Sequence, residues 1–231
     1  FASKKLGVED YLVKPVDRQE LVTTIRSRLD RTQQLMLAQL EQAYQTSLIM
    51  LANAIELRDE YTRGHVDRVM DLCAMIAQHL GWSPIQIKAL QFGAILHDIG
   101  KIYVRENILS KAGPLTSDEW TEMKLHTVVG SELLQSVPYQ AQAIPIIRHH
   151  HERWDGGGYP DGLAGSAIPL GARIVAVADS FDAMTSARVY QRAVEYERAV
   201  EEIRRGSGML YDPEVVAAFL AIWREFVGRD N

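Results

Sequence analysis

The sequence predicts an all-α protein. Apolar residues recur at helical spacing along most of the chain, and helix-capping patterns stand before several of those stretches. The one strand-like run, Asp10-Tyr11-Leu12-Val13, is short and is stopped by Lys14-Pro15. Asp17 follows as an N-cap, with Glu20 three residues later in a capping-box arrangement. Residues 18–60 contain neither Gly nor Pro and predict one very long helix. Within it Leu29, Met36, Ala43, Met50 and Leu57 recur every seven residues, and Leu40 and Ala54 broaden the stripe. That interval suits a coiled-coil seam and a homodimer, although Gln33 and Ser47 weaken it. The seam is expected more in the first half than in the second, the alternative being a helix packed on its own domain.

The remaining elements follow in order. Residues 66–80 form an amphipathic stretch that ends at Gly81, and residues 85–97 form another after Pro84. Thr116-Ser117-Asp118-Glu119 is a capping box for a helix carrying Trp120, Met123, Val128 and Leu133. Pro145 opens or kinks a helix bearing Ile146, Ile147 and a run of three histidines. A Gly-rich loop at 155–165 precedes a strongly apolar helix at 168–184. Residues 195–205 and 213–227 complete the domain.

Composition bounds the function. The 231 residues are 47% hydrophobic and 24% charged, enough to bury a sizeable core. A net charge of -5 argues against a nucleic-acid groove, so a small polyanion would need metals or a few Lys and Arg. The single cysteine, Cys73, excludes a disulfide within the chain and fits a reducing cytoplasm. There is no signal peptide and no apolar run long enough to cross a bilayer, so no membrane role is expected. The chain begins without Met and is expected to be a fragment of a longer protein.

The histidines carry the chemistry. His97 is followed at once by Asp98 at the end of an apolar helix, where two polar groups are costly to bury unless something pairs with them. Adjacent helical positions splay by about 100°, so both would reach one site only at its rim. Lys101 lies one turn beyond His97. His65 begins an amphipathic helix, His126 lies mid-helix, and His149-His150-His151-Glu152 follows an apolar turn. Asp179 ends a nearly all-apolar stretch. Taken singly, each has a commonplace explanation as a helix-face histidine, a polar helix end or a cap. Taken together, these imidazoles and carboxylates suit first-row transition metals such as Fe or Mn better than Mg or Ca. They are too many for one ion, and a two-metal site with a bridging carboxylate uses them all.

The run His97-Asp98-Ile99-Gly100-Lys101 resembles the HD phosphohydrolase superfamily. His150-His151-Glu152-Arg153-Trp154-Asp155-Gly156-Gly157-Gly158-Tyr159-Pro160 looks like the signature of its HD-GYP family, bacterial phosphodiesterases that cleave cyclic di-GMP. The similarity runs from about Leu51 to Phe219. It includes Tyr61-Thr62-Arg63-Gly64-His65, Leu109-Ser110-Lys111, Ile168-Pro169-Leu170 and Asp182-Ala183-Met184-Thr185. The resemblance implies an HD-type helical bundle at 51–231, joined by a helical linker at 29–50. It makes His65, His97, Asp98, His126, His150, His151 and Asp179 the metal ligands, with Asp98 bridging and His149 an extra. Lys101 would touch the scissile phosphate or hold the nucleophile, and Arg188 would clamp a substrate phosphate. Gln191 stands where some members have Lys, with Arg192 beside it. Tyr159 would border a guanine or serve packing. Some members carry a Glu four residues before the first His, which recruits a third metal. Tyr61 occupies that position and Glu60 is one residue off, so two ions are expected. Fe or Mn is favoured, and Ni, Co or Zn would also be found in a purified sample.

The front end has a separate resemblance. Gly7-Val8-Glu9-Asp10-Tyr11-Leu12-Val13-Lys14-Pro15 looks like the end of a response-regulator receiver domain, in which the Lys before Pro senses phosphorylation. Residues 1–28 are expected to be its C-terminal remnant, with a cognate histidine kinase acting through the missing part. The function expected is hydrolysis of cyclic di-GMP to pGpG, sometimes on to GMP, as the output of a response regulator. The alternatives are an HD phosphohydrolase acting on another nucleotide, or a weakly active or inactive sensor whose Gly-Tyr-Pro loop contacts diguanylate cyclases.

Overall fold

Asp17 opens the first helix as its side chain accepts hydrogen bonds from the backbone N–H groups of Gln19 and Glu20, at 3.1 and 3.2 Å. The computed structural model describes residues 15–56, 64–135, 141–186 and 195–229. Over these residues the chain is helical, with no β-strand. The strand-like run and Lys14 lie outside the described residues, while Pro15 is an exposed bend. Two compact units divide at Ser47 and Leu48.

Helix α1, Arg18–Glu56, contributes to both units. In the first unit its apolar residues Leu29, Met36 and Leu40 are exposed. In the second, Leu48, Ile49, Ala52 and Ile55 pack with Val66, Ile95, Leu96, Ile99 and Ile147. Of the second half of the heptad stripe, Met50 is exposed, off this buried face, and Leu57 lies outside the described residues.

The second unit is built on α2 (His65–His79), which packs against α3 (Pro84–Leu96), α7 (Leu170–Thr185) and α9 (Pro213–Arg229). Its core holds Leu72, Ile76, Leu90, Ile174, Phe181, Ile203 and Phe219. Burying each of these side chains contributes about 1.5–3 kcal/mol. The short α4 (Glu106–Leu109) seats Ile108 and Leu109 beneath α5 (Ser117–Leu133), beside Leu115 and Met123. Helix α6 (Ile144–His149) packs on α5, and α8 (Tyr196–Arg205) packs on α7 and α9.

The helix boundaries follow local chemistry. Ser83 and Gln86 form a reciprocal capping box before α3, with Pro84 in its first turn, and Thr116 and Glu119 form another before α5. Helix α7 begins at Leu170, two residues later than expected, because Pro169 stands as its N-cap in extended conformation. A larger departure concerns His97 and Asp98. The helix before them stops at Leu96; His97 is its C-cap and Asp98 precedes a 3-10 turn over Ile99–Tyr103. Both side chains enter the same interior, with Asp98 Oδ2 3.3 Å from His97 Nε2.

Gly100 makes that turn fit. A Cβ there would collide with the backbone oxygen of His126 and lie 2.6 Å from the backbone nitrogen of Gly130, both on α5. The backbone of the turn therefore touches the backbone of the helix that carries His126. Gly100→Ala is expected to cost about 2 kcal/mol or more through overpacking. Thermal unfolding followed by circular dichroism checks this, and an unchanged midpoint would refute it.

Candidate metal centre

Five helical segments aim their side chains at one interior. His65 sits at the start of α2, directly after Gly64, whose φ of 85° lets the chain turn sharply into the helix. His97 and Asp98 come from the break after α3, and His126 from α5. His150 caps α6 with His151 following it, and Asp179 lies on α7. His65, His97, His126 and His150 are buried, and Asp98 is nearly so.

Two sets of ligand atoms emerge, each with all its members within 4.8 Å of one another: His65, His97 and Asp98, and Asp98, His126, His150 and His151. Asp98 belongs to both. Its Oδ2 lies 3.3 Å from His97 Nε2, and its Oδ1 lies 3.4 Å from His126 Nε2 and 3.9 Å from His150 Nε2. Asp179 Oδ1 adjoins the first set, 3.6 Å from His65 Nε2 and 3.9 Å from His97 Nε2. All seven residues expected as ligands thus converge.

The ring orientations are set from behind. The Nδ1 of His97 is 2.7 Å from the Ala94 carbonyl, that of His126 is 2.6 Å from Met123 and that of His150 is 2.8 Å from Ile147. An Nδ1–H donating to a carbonyl turns Nε2, the acceptor, inward. His65 uses a carboxylate instead: its Nδ1 lies 2.6 Å from Asp182 Oδ2. Asp182 is held in turn by Arg68, whose Nε donates to Oδ1 at 2.6 Å. His149 is engaged elsewhere, with Nδ1 at 2.8 Å from the Pro145 carbonyl and Nε2 at 2.9 Å from Asp161.

Charge follows geometry. Burial alone would lower the His97 imidazole, but Asp98 and Asp179 reverse this and push it up to about 9. Burial would raise the Asp98 carboxyl, yet Lys101 and His97 hold it well below the ordinary range. Burial and neighbouring histidines lower His126, His150 and His151, the last to about 3. These shifts favour the neutral ring, the form in which imidazole ligates a metal. Lys101 Nζ lies 2.8 Å from Asp98 Oδ2.

The donor set fits divalent cations. His97 Nε2, Asp98 Oδ1 and Asp179 Oδ1 are buried and make no hydrogen bond to any described residue. Each such group costs about 1–3 kcal/mol if left so. Converging nitrogen and carboxylate lone pairs need a cation to relieve that cost.

The loop beyond His151 closes one wall. Tyr159 stacks on His151, with ring centres 4.9 Å apart and planes 26° apart. Glu152 is buried and accepts from the backbone N–H groups of Asp161 and Leu163, at 2.8 and 3.1 Å. Arg148 donates to Asp161 through Nε and Nη2, each at 2.8 Å. Arg188, Gln191, Arg192, Glu60 and Tyr61 lie outside the described residues. Sequence reasoning missed the roles of Asp182 and Arg68. Helical spacing held the clue: Asp182 is three residues from Asp179 and Arg68 three from His65, each pair sharing a helix face.

The HD domain family description matches residues 49–215. This chain belongs to the HD domain family. Within it, the motifs around His97-Asp98 and Gly158-Tyr159-Pro160 and the similarity to its relatives put it in the HD-GYP branch. The cyclic di-GMP phosphodiesterase response regulator RpfG of Xanthomonas campestris is 40% identical over 238 residues, covering 95% of this chain and 63% of its own. A cyclic di-GMP phosphodiesterase of Thermotoga maritima is 38% identical over 244 residues, covering 95% of this chain and 66% of its own. The chain therefore spans a little under two thirds of the length of these relatives. A crystal structure of a cyclic GMP-AMP specific phosphodiesterase of V. cholerae (V-cGAP3) shares the fold. Its TM-score is 0.64 at 21% identity, over 79% of this chain and 50% of that one.

Asp182→Ala is expected to weaken metal binding about 10–100-fold, because His65 loses the group that orients it. Asp182→Asn, which keeps an acceptor, is expected to lose less. Metal titration against a competing chelator measures both. Equal affinity in wild type and Asp182→Ala would show that Asp182 does not support the site.

Proposed function

We propose that this chain hydrolyses cyclic di-GMP to linear pGpG, with onward cleavage to GMP as a slower step. The observation that carries the reading is Asp98, a single carboxylate common to two sets of converging ligand atoms with Lys101 at 2.8 Å. The names of the relatives RpfG and the T. maritima enzyme support the substrate.

Two transition-metal ions, iron or manganese, suit the mixed imidazole and carboxylate donors, and nickel, cobalt or zinc would accept the same set. His65, His97, Asp98 and Asp179 would hold one, and Asp98, His126, His150 and His151 the other. When bound, such a pair supplies Lewis acidity toward phosphoryl oxygens and lowers the pKa of water. The chain's own residues supply pre-organisation. Carbonyls of Ala94, Met123 and Ile147 hold His97, His126 and His150 in position, so these rings need not reorganise during reaction. Lys101 Nζ sits beside Asp98, where an ammonium would stabilise charge developing on the phosphoryl oxygens. Arg188, Gln191 and Arg192 are our candidates for the second phosphate.

The exposed stripe of Leu29, Met36 and Leu40 supports a homodimer through α1. We read residues 1–28 as a receiver remnant containing Lys14 and Pro15, residues 29–50 as linker, and residues 51–231 as the phosphodiesterase domain. A histidine kinase would then act through a receiver ahead of residue 1, and the Gly-Tyr-Pro loop is our candidate contact for a diguanylate cyclase.

The test is turnover by anaerobically purified protein offered cyclic di-GMP and, separately, a nucleoside triphosphate. Cyclic di-GMP is expected to give pGpG. Hydrolysis of the triphosphate with cyclic di-GMP untouched would contradict the reading and favour a different HD phosphohydrolase. Lys101→Met is expected to lower kcat about 10²–10³-fold with a smaller effect on KM.

A further inference from the structure

Beside the metal centre stands a group that the proposed chemistry does not use. Trp120 and Lys124 are four residues apart on one face of α5, the helix that also carries His126. The Lys124 ammonium lies 5.8 Å from the Trp120 ring centre and 5.4 Å from that of Tyr159. The two aromatic rings meet edge to face, 6.4 Å apart with planes at 72°. Tyr159 in turn stacks on His151, so the group forms one continuous wall with the ligand set. Trp120 is 45% exposed, a large apolar surface left open to solvent.

The charge pattern is uneven. The neighbouring cations are satisfied by acids: Lys111 pairs with Glu119 at 2.5 Å and Arg105 with Glu122 at 2.8 Å. Among the described residues, the Lys124 ammonium lies over two rings and has no ion pair with a carboxylate. An exposed aromatic face and an acid-free cation at the edge of a phosphodiesterase centre fit a nucleobase.

We propose that Trp120, Lys124 and Tyr159 form a purine shelf that selects guanine in the substrate. This rests on the reading of the chain as a cyclic di-GMP hydrolase and deepens it. Stacking on Trp120 is tolerant of base identity, because every base has a π-face. Lys124 supplies the discrimination. Guanine offers two acceptors on one edge, N7 and O6, whereas adenine puts an amino donor where guanine has O6. An ammonium can only donate, so it attracts the first edge and is repelled by half of the second.

The experiment compares cyclic di-GMP with 3'3'-cGAMP, which differs in one purine, on the metal-loaded full chain. Lys124→Met is expected to raise KM for cyclic di-GMP about tenfold, keep kcat within about twofold, and narrow its kcat/KM advantage over 3'3'-cGAMP. Trp120→Ala is expected to raise KM for both substrates by about tenfold, and Trp120→Phe to restore most of it. A structural role would not move the substrate ratio or be rescued in this way. Unchanged KM in both variants, or a fall in kcat alone with no change in the ratio, would overturn the shelf. Equilibrium binding of cyclic di-GMP, followed by tryptophan fluorescence, separates the two claims. If wild type binds without turnover and Lys124→Met binds about tenfold more weakly, the shelf stands and the hydrolase reading fails. If wild type neither binds nor turns over the dinucleotide, both fail.

Discussion

Asp98 offers one oxygen toward His126 and His150 and the other toward His97 and Lys101, and its carboxyl is held ionised well below the ordinary range. A buried carboxylate surrounded by imidazole nitrogens is an expensive arrangement for a fold to maintain. Its cost in the folded chain is offset only if the converging lone pairs share cations. The rest of the second unit can be understood as the scaffold that brings this carboxylate and its histidines together. Two core clusters flank it, one built on Leu72, Ile76 and Phe219 and the other on Ile55, Ile95 and Ile147.

Most ligands reach the interior from the end or break of a helix, or from a helix face braced by the backbone; Asp179 comes from within α7. His65 starts α2, His97 caps α3, and His150 caps α6. Helix ends leave carbonyls without intrahelical partners, and Ala94 and Ile147 use theirs to fix an imidazole. The same interactions that terminate the helices therefore orient the ligands. His65, at an N-terminus, has no such carbonyl within its own turn and relies on Asp182 across the bundle, which Arg68 of α2 holds in place. The metal centre and the contact between α2 and α7 are thus one structure.

The all-α class, the helix order and the capping box at Thr116 and Glu119 were legible in the sequence, because caps and apolar periodicity are local signals; the box at Ser83 and Gln86 was missed. The identities of the converging residues were legible too, since so many histidines and aspartates at apolar helix ends admit few explanations. Geometry at His97-Asp98 was not. The apolar pattern ended the helix at His97 and treated the pair as adjacent helical positions, whereas the helix stops at Leu96 and a 3-10 turn follows, whose Gly100 meets the backbone of α5, distant in sequence. The pairing of His65 with Asp182 joins residues 117 positions apart; spacing puts Asp182 on the face of Asp179 but does not name His65 as its partner. The shelf is invisible to any local pattern: Trp120 reads as a core residue of an amphipathic helix, and only its placement against Tyr159 reveals an exposed face.

The central claim is that Asp98 makes two sets of ligands into one centre. Elemental analysis of metal per chain, in anaerobically purified wild type, His65→Ala, His126→Ala and Asp98→Ala, tests it most directly. About two ions are expected in wild type, about one in either histidine variant, and close to none in Asp98→Ala, with helical circular dichroism retained throughout. Full metal content in folded Asp98→Ala would contradict the account.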